Sequence, residues 1–314
     1  MHFGTARRGE CALLVAAVVW GLAFAAQRAG MGHMGPFTFN GLRFCMGGLF
    51  LLPLVLVQRR RGTALPVASR SAWVNGVLVA GLVLLVGASL QQHGMRFTTA
   101  GKGGFITGLY VILVPLFGLV LGQRCGWGTW LGVLCAAIGL YVLSVRQGLQ
   151  LSPGDGLVLA GAAVWAIHVL VLDTVSKRMD PLVLACGQFL LCGGCSMGLA
   201  FLFEAPTMTG ILAGWLPLAY SGIASVGIGF TLQVVGQRSA AAAPAALILS
   251  LEAVFAVVGG WVVFGETMDA RGWVGCILMF AGMGMAQTHL WTSARRCRWI
   301  HEQDNEDAPW RHCT

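Results

Sequence analysis

Long apolar segments alternate with short polar ones along the whole chain. Ten apolar runs stand out, each close to the roughly 20 residues that a membrane-spanning helix needs. They lie at about 11–29, 36–57, 72–92, 100–121, 127–145, 155–175, 181–203, 213–235, 241–264 and 270–291. The segments between them are too short for a large soluble domain. The pattern therefore predicts an all-α membrane protein with ten transmembrane helices.

Composition supports the same class and excludes others. Hydrophobic residues make up 57% of the 314 residues and charged residues only 10%, whereas a soluble domain has about 25% charged residues. Too few charges remain to cover a surface that faces water, and disorder requires low hydrophobicity and high charge. Most of the ten cysteines sit inside apolar runs, which is typical of core residues and not of a disulfide framework.

The distribution of Lys and Arg predicts the orientation in the membrane. Fourteen of the 20 fall on segments that share the side of the N-terminus, and the Arg59–Arg61 cluster dominates that side. Because such residues accumulate in cytoplasmic segments, both termini are predicted to be cytoplasmic and the location to be the inner (cytoplasmic) membrane. The net charge of +8 is then explained by anionic inner-leaflet lipids, and no nucleic-acid partner is expected.

The two halves of the chain resemble each other. Trp20 lies 145 residues before Trp165, and Gln91 lies 142 residues before Gln233. These offsets indicate a repeated five-helix unit, and because five is odd the second copy must enter the membrane from the opposite side. Inverted repeats are a common plan of secondary transporters, with the substrate site between the repeats. The predicted divisions are 1–10 (cytoplasmic N-terminus), 11–147 (first repeat), 148–292 (second repeat) and 293–314 (cytoplasmic tail).

Glu252 is the most informative polar residue within a predicted span. It lies about eleven residues into the ninth run, roughly 16 Å along a helix and therefore near the midplane. Burial in an apolar bundle disfavours a carboxylate unless a cation lies nearby. Glu252 could therefore exchange a proton or face a cationic group of a substrate. It could equally be hydrogen-bonded between helices, for example to Arg43.

Other polar and aromatic residues inside the runs are candidates for a substrate pathway, because polar groups in a membrane are expensive. Arg43 could bind a carboxylate, hold two helices together or reach the outer interface. His168 fits either a packed core or a functional site, and Trp20 and Trp165 could wall a cavity or simply fill space. The full candidate set is Trp20, Asn40, Arg43, Gln91, Tyr110, Trp165, His168, Gln188, Gln233 and Glu252.

Motifs of soluble enzymes were sought and not found in the sequence. It contains no GxxxxGK[ST] phosphate loop, no HExxH and no GxSxG, so no catalytic residue, cofactor or metal site is predicted. Cys and His residues of the tail match no strong zinc pattern. A lipid-modifying membrane enzyme, a passive facilitator or channel, and a structural or sensory membrane protein stay open as alternatives to a secondary transporter.

Four segments together resemble EamA-type members of the drug/metabolite transporter superfamily. In the first half they are residues 91–101 (QQHGMRFTTAG) and 104–111 (GFITGLYV), and in the second half residues 249–256 (LSLEAVFA) and the pair Gly265-Glu266. Glu252 and Glu266 have the fourteen-residue spacing of the acidic pair in the family's second repeat. Ala253 stands where a proline commonly follows the first Glu, which predicts a less kinked ninth helix.

The resemblance covers about residues 11–291 and implies a function. Such proteins are ten-helix inner-membrane transporters built of two EamA units, and commonly export amino acids or other small metabolites. The expected partners are therefore a small-molecule substrate and the lipid bilayer. Coupling to protons is compatible with Glu252, and the chain would act as a monomer or a homodimer.

Overall fold

A computed structural model of the chain describes residues 2–62, 70–123, 125–144, 152–265 and 270–285. All regular secondary structure in these ranges is helical, which confirms the predicted all-α class. Glu266 of the acidic pair and the predicted tail at 293–314, with its Cys and His residues, lie outside the described residues.

The helices follow the ten predicted runs. The first half contains α1 (His2–Gly30), α2 (Pro36–Arg60), α3 (Arg70–Gly94), α4 (Ala100–Gly108), α5 (Tyr110–Val120) and α6 (Trp127–Ser144). The second half begins with α7 (Pro153–Val175), α8 (Pro181–Phe203), α9 (Met208–Ala213) and α10 (Trp215–Ala219). A π-helical segment, Tyr220–Phe230, leads into α11 (Thr231–Gln237), α12 (Ala242–Leu249), α13 (Glu252–Phe264) and α14 (Ala270–Met285).

Eight helical stretches among the described residues are long and apolar enough to cross a membrane. Three of them join consecutive elements: Ala100–Val120, Trp215–Gln237 and Ala242–Val263. Two further apolar helices, Trp127–Val142 and Ala270–Met285, are shorter than eighteen residues. The chain is thus a multi-pass membrane protein, with eight candidate spans by length and composition among the described residues and two apolar helices below that length.

Close backbone contacts repeat between the halves. A Cβ added at Gly94 would lie 2.7 Å from the carbonyl oxygen of Gly154, and one at Gly236 would lie 2.9 Å from that of Gly9. Gly236 follows Gly94 by 142 residues, and Gly154 follows Gly9 by 145. The pairs α3–α7 and α1–α11 therefore pack alike, which is the architecture expected of two related units.

The helices α6 and α14 cross directly, backbone against backbone. A Cβ at Gly139 would lie 2.7 Å from the carbonyl oxygen of Gly275, and one at Gly282 would lie 2.6 Å from that of Gly132. The partner numbers fall along α14 as they rise along α6, so the two helices are antiparallel. Small residues at both contacts permit this close approach.

The fourth and ninth helical stretches are interrupted at equivalent points. Leu109 (φ −60°, ψ −15°) separates α4 from α5, and Leu251 (φ −61°, ψ −13°) precedes α13. Each leucine donates its N–H to the carbonyl three residues earlier, at 3.2 Å, which is 3₁₀ geometry. The ninth stretch thus carries a tight turn beside Glu252 although it lacks the proline, and a less kinked ninth helix stays a prediction.

A buried acid joins the start of α7 to the start of α4. Asp155 is 2% exposed and accepts hydrogen bonds from the Thr98 hydroxyl at 2.8 Å and from the Lys102 ammonium at 2.6 Å. It also accepts from the Ser152 N–H at 2.7 Å, as in a capping box. Arg28 at the end of α1 donates to the Thr98 carbonyl. Three helices are therefore held together at one end of the bundle.

Candidate functional site

A cavity lies between the two halves, beside the breaks in the fourth and ninth stretches. Its volume is about 40 Å³, which is large enough for water but too small for an organic metabolite. Its walls are Trp20, Phe24, Gln27, Arg43, Gln91, Thr107, Tyr110, Trp165, Val169, Ser225, Phe230, Gln233, Leu249 and Glu252. A larger guest would require the helices to separate.

The cavity brings together most of the residues selected from the sequence. Those on its wall are Trp20, Arg43, Gln91, Tyr110, Trp165, Gln233 and Glu252. Asn40, His168 and Gln188 are fully buried but lie behind the wall. Their roles in transport, like those of the wall residues, stay predictions.

Tyr110 and Glu252 begin α5 and α13 and lie near each other. Both are buried, at 3% exposed each. The Tyr110 hydroxyl and the Glu252 Oε1 nevertheless have no hydrogen-bond partner of normal geometry. No ion pair joins Glu252 to Arg43 among the described residues, so the sequence-based alternative of a Glu252–Arg43 link is absent there.

Arg43 is held by its own helix. Its Nε donates to the Asn40 Oδ1 at 2.9 Å, and the Asn40 Nδ2 donates to the Ala88 carbonyl at 3.0 Å. The guanidinium carbon lies 4.8 Å from the ring centre of Phe44 and 5.6 Å from that of Phe39, within cation–π range. Asn40 thus orients Arg43 from behind the wall.

His168 packs behind the aromatic part of the wall. Its Nε2 lies 3.1 Å from the Gln188 Oε1, and its ring meets Trp165 edge-on at 5.7 Å. The Nδ1 atom of His168 and the Nε2 atom of Gln188 have no hydrogen-bond partner. This arrangement is that of a packed core histidine, one turn away from the cavity.

The two equivalent tryptophans make different hydrogen bonds. Trp165 donates to the Gln91 Oε1 at 2.6 Å, and Gln91 in turn donates to the Gln27 Oε1 at 3.0 Å. Trp20 donates to the Ser225 carbonyl at 3.2 Å, inside the π-helical segment, where carbonyls are displaced from the α-helical ladder. The two tryptophans therefore occupy equivalent positions in the repeats but bond to different groups.

Four buried polar atoms on the cavity wall have no hydrogen bond of normal geometry, and two of them belong to the neighbouring side chains of Tyr110 and Glu252, which interact with each other. They are the Thr107 Oγ1, the Tyr110 hydroxyl, the Gln233 Oε1 and the Glu252 Oε1. Buried polar groups are hydrogen-bonded in the great majority of cases, and an unmade bond costs about 1–3 kcal/mol. A cluster of four around one cavity is what a hydrogen-bonding ligand would satisfy.

Several wall residues were missed by the sequence analysis, and periodicity would have found some of them. Phe24 and Gln27 lie four and seven residues after Trp20 on the same face of α1. Thr107 and Leu249 lie one turn before Tyr110 and Glu252. Ser225 and Phe230 could not be placed in this way, because the π-helical segment departs from the α-helical period.

Comparisons with known proteins place this architecture. Residues 7–145 and 152–287 match the profile of the EamA-like transporter family. An "Uncharacterized transporter" of Archaeoglobus fulgidus is 29% identical over 86% of this chain and 82% of its own. The "Uncharacterized transporter YoaV" of Bacillus subtilis is 22% identical over 85% and 92%. A crystal structure 22% identical in sequence superposes with a TM-score of 0.70 over 91% of this chain and 97% of that chain.

Proposed function

Because the chain belongs to the EamA-like transporter family, we propose that it is a secondary transporter that moves small metabolites, amino acids among them, out of the cell. The family and the names of its relatives point to a transporter and not to an enzyme. The substrate site is the cavity between the two halves. The substrate and the surrounding lipid bilayer are its partners, and it works as a monomer or a homodimer.

The observation that carries the proposal is the set of unpartnered polar atoms at the cavity. Thr107, Tyr110, Gln233 and Glu252 come from four elements, and each offers a buried atom without a hydrogen bond of normal geometry. A polar substrate would supply those bonds, and its apolar part would contact the aromatic wall. Ligand sites commonly combine apolar walls with a few convergent polar groups.

Alternating access follows from the arrangement of the repeats. The units 11–147 and 148–292 are taken as inverted copies that span the inner (cytoplasmic) membrane ten times, with both termini in the cytoplasm. The antiparallel crossing of α6 and α14 and the matched breaks at Leu109 and Leu251 support this plan. Discontinuous helices near the midplane are characteristic of substrate sites in such transporters. The small cavity represents a contracted state between the two open ones.

Glu252 is the group best placed to couple transport to charge. It is the one acid among the described residues of the cavity wall, and it lies beside Tyr110 at the start of α13. In this proposal it exchanges a proton or responds to the charge of the substrate. Transport by Glu252→Gln that matches wild type at every pH would remove Glu252 from the mechanism.

An untargeted comparison of metabolites outside and inside cells tests the function. The strains overexpress wild type, Glu252→Gln or Asp173→Asn, or carry an empty vector, with membrane protein levels matched by blot. Asp173 pairs with Lys177 at 2.8 Å and is not on the cavity wall, so it controls for the loss of any acid. We expect one chemical class to accumulate outside with wild type and Asp173→Asn only.

Identical metabolites for wild type and empty vector would contradict the export proposal. The main alternative is a passive facilitator or channel for small metabolites, which the narrow cavity disfavours because its walls would have to stay apart. Counterflow of the identified metabolite in liposomes separates the two. When the liposomes are loaded with unlabelled substrate, only a carrier exchanges it for labelled substrate and raises the label inside above its outside concentration.

A further inference from the structure

Arg43 is a buried cation with no carboxylate partner among the described residues. Its side chain is 2% exposed, and arginine does not lose its proton in proteins. The ion pairs among the described residues are Lys102–Asp155 and Lys177–Asp173, and neither involves Arg43. An unpaired charge in a low-dielectric interior is expensive unless another group compensates it.

The Arg43 side chain makes no hydrogen bond to another helix among the described residues. The one hydrogen bond of the Arg43 side chain within the described structure goes to Asn40, three residues earlier on the same helix. Asn40, Phe39 and Phe44 hold the Nε side and flank the guanidinium plane. The remaining N–H groups have no acceptor among the described residues, and Arg43 lines the cavity. These contacts fix the orientation of the guanidinium before any substrate binds, and they leave its terminal N–H groups available to a bound substrate.

We propose that Arg43 is the specificity-determining residue of the cavity and binds a single carboxylate of the transported molecule. The inference rests on the proposed function and narrows its substrate class. A planar guanidinium fork matches the two oxygens of a carboxylate, which gives geometric selection in addition to charge. The bound anion supplies the charge that the protein does not.

The wall also limits what else the substrate carries. Arg43 is the only Lys or Arg on the described cavity wall, and Glu252 is its only acid. A second negative charge would find no cation there and would face Glu252, so dicarboxylates and phosphate esters are excluded. Trp20, Trp165 and Phe230 require an apolar body. The substrate class is therefore a monocarboxylate with an apolar chain, with or without an amino group.

Binding to the purified full-length protein tests this with probes that share a branched 3-methylbutyl unit and differ in the polar groups attached to it. The probes are 4-methylpentanoate, leucine, the neutral 4-methylpentanamide, 3-methylbutylamine, and isobutylsuccinate with its second carboxylate. Isothermal titration measures each against wild type, Arg43→Lys, Arg43→Gln and the control Arg178→Gln. Arg178 is exposed on the segment after α7 and does not line this cavity.

We expect 4-methylpentanoate or leucine to bind, and the amide, the amine and isobutylsuccinate to bind at least about tenfold more weakly. Arg43→Lys should weaken binding about tenfold because it keeps the charge and loses the fork. Arg43→Gln should abolish it, and Arg178→Gln should match wild type. Size-exclusion profiles and melting temperatures of both Arg43 variants establish that they fold.

Three outcomes would overturn the assignment. They are equal binding of the amine and the carboxylates, unchanged binding by folded Arg43→Gln, and no binding of any carboxylate probe to wild type. None of these outcomes changes the result of the metabolite comparison in cells, which tests the transport proposal separately. If that comparison still identifies an exported compound without a carboxylate, the transport proposal stands and the role of Arg43 fails alone.

Discussion

Tyr110 and Glu252 occupy equivalent positions in the two repeats, 142 residues apart, and each is the first residue after a helix break. They lie beside each other in the cavity, yet neither the hydroxyl nor the Glu252 Oε1 has a hydrogen bond of normal geometry. The repeat therefore places two backbone interruptions side by side. The interruption before α5 is followed by a neutral hydroxyl and the one before α13 by an ionisable carboxyl. Equivalent backbone positions therefore carry different chemistry.

The unpartnered hydroxyl of Tyr110 leads to a prediction about stability and function together. Tyr110→Phe removes a buried hydroxyl that has no hydrogen bond of normal geometry and lies beside the Glu252 carboxyl, so the melting temperature in detergent should change little. Transport of the identified metabolite should fall, because the substrate loses a bonding partner. Tyr141→Phe is the control, since Tyr141 is 53% exposed on α6. A large loss of stability in Tyr110→Phe would mean that the hydroxyl has a structural partner.

The crossing of α6 and α14 can be tested with two glycines two residues apart. A Cβ at Gly282 would lie 2.6 Å from the Gly132 carbonyl oxygen, whereas one at Gly284 would meet nothing within 4 Å. Gly282→Ala should destabilise the protein by about 1–3 kcal/mol, as overpacking does, and Gly284→Ala should be near neutral. Thermal unfolding of the purified proteins measures both. Equal effects of the two substitutions would refute the close crossing.

The Lys102–Asp155 pair should matter more than the Lys177–Asp173 pair. The Asp155 side chain is 1% exposed and accepts three hydrogen bonds, while the Asp173 side chain is 12% exposed and pairs within one helix. Lys102→Met should lower the free energy of unfolding by about 1–3 kcal/mol, since it leaves a buried carboxylate without its cation. Lys177→Met should cost only about 0.3–0.5 kcal/mol. Denaturant titration compares them, and the reverse order would contradict the structure.

The hydrogen bond between Trp165 and Gln91 predicts an energetic coupling. A double-mutant cycle with Trp165→Phe and Gln91→Leu should give an interaction energy of about 1 kcal/mol, because each single change removes the same 2.6 Å bond. The same cycle with Trp20→Phe and Gln91→Leu should be additive, since Trp20 donates to Ser225 instead. Melting temperatures of the six proteins provide the measurement. Coupling of similar size in both cycles would point to indirect effects.

The sequence predicts much of the helical architecture and only part of the site. Hydropathy locates the eight helical stretches of spanning length and the two shorter apolar helices because each apolar run is long, and the Gly94–Gly236 correspondence indicates the repeat. The break at Leu251 has no local signal, because its turn contains neither proline nor glycine, and the turn at Leu109 contains only Gly108, one of many glycines within the apolar runs. Asn40 and His168 were selected because polar residues in spans are rare, but rarity does not distinguish the cavity wall from the layer behind it.

The contact between α6 and α14 has a consequence for the history of the chain. It is made by glycine backbones at Gly132, Gly139, Gly275 and Gly282, so it does not depend on which side chains the two halves carry elsewhere. After a gene duplication, such a backbone contact allows the sequences of the two copies to diverge while the two helices remain packed against each other. One half can then acquire a carboxylate and the other a phenol without any compensating exchange at this contact.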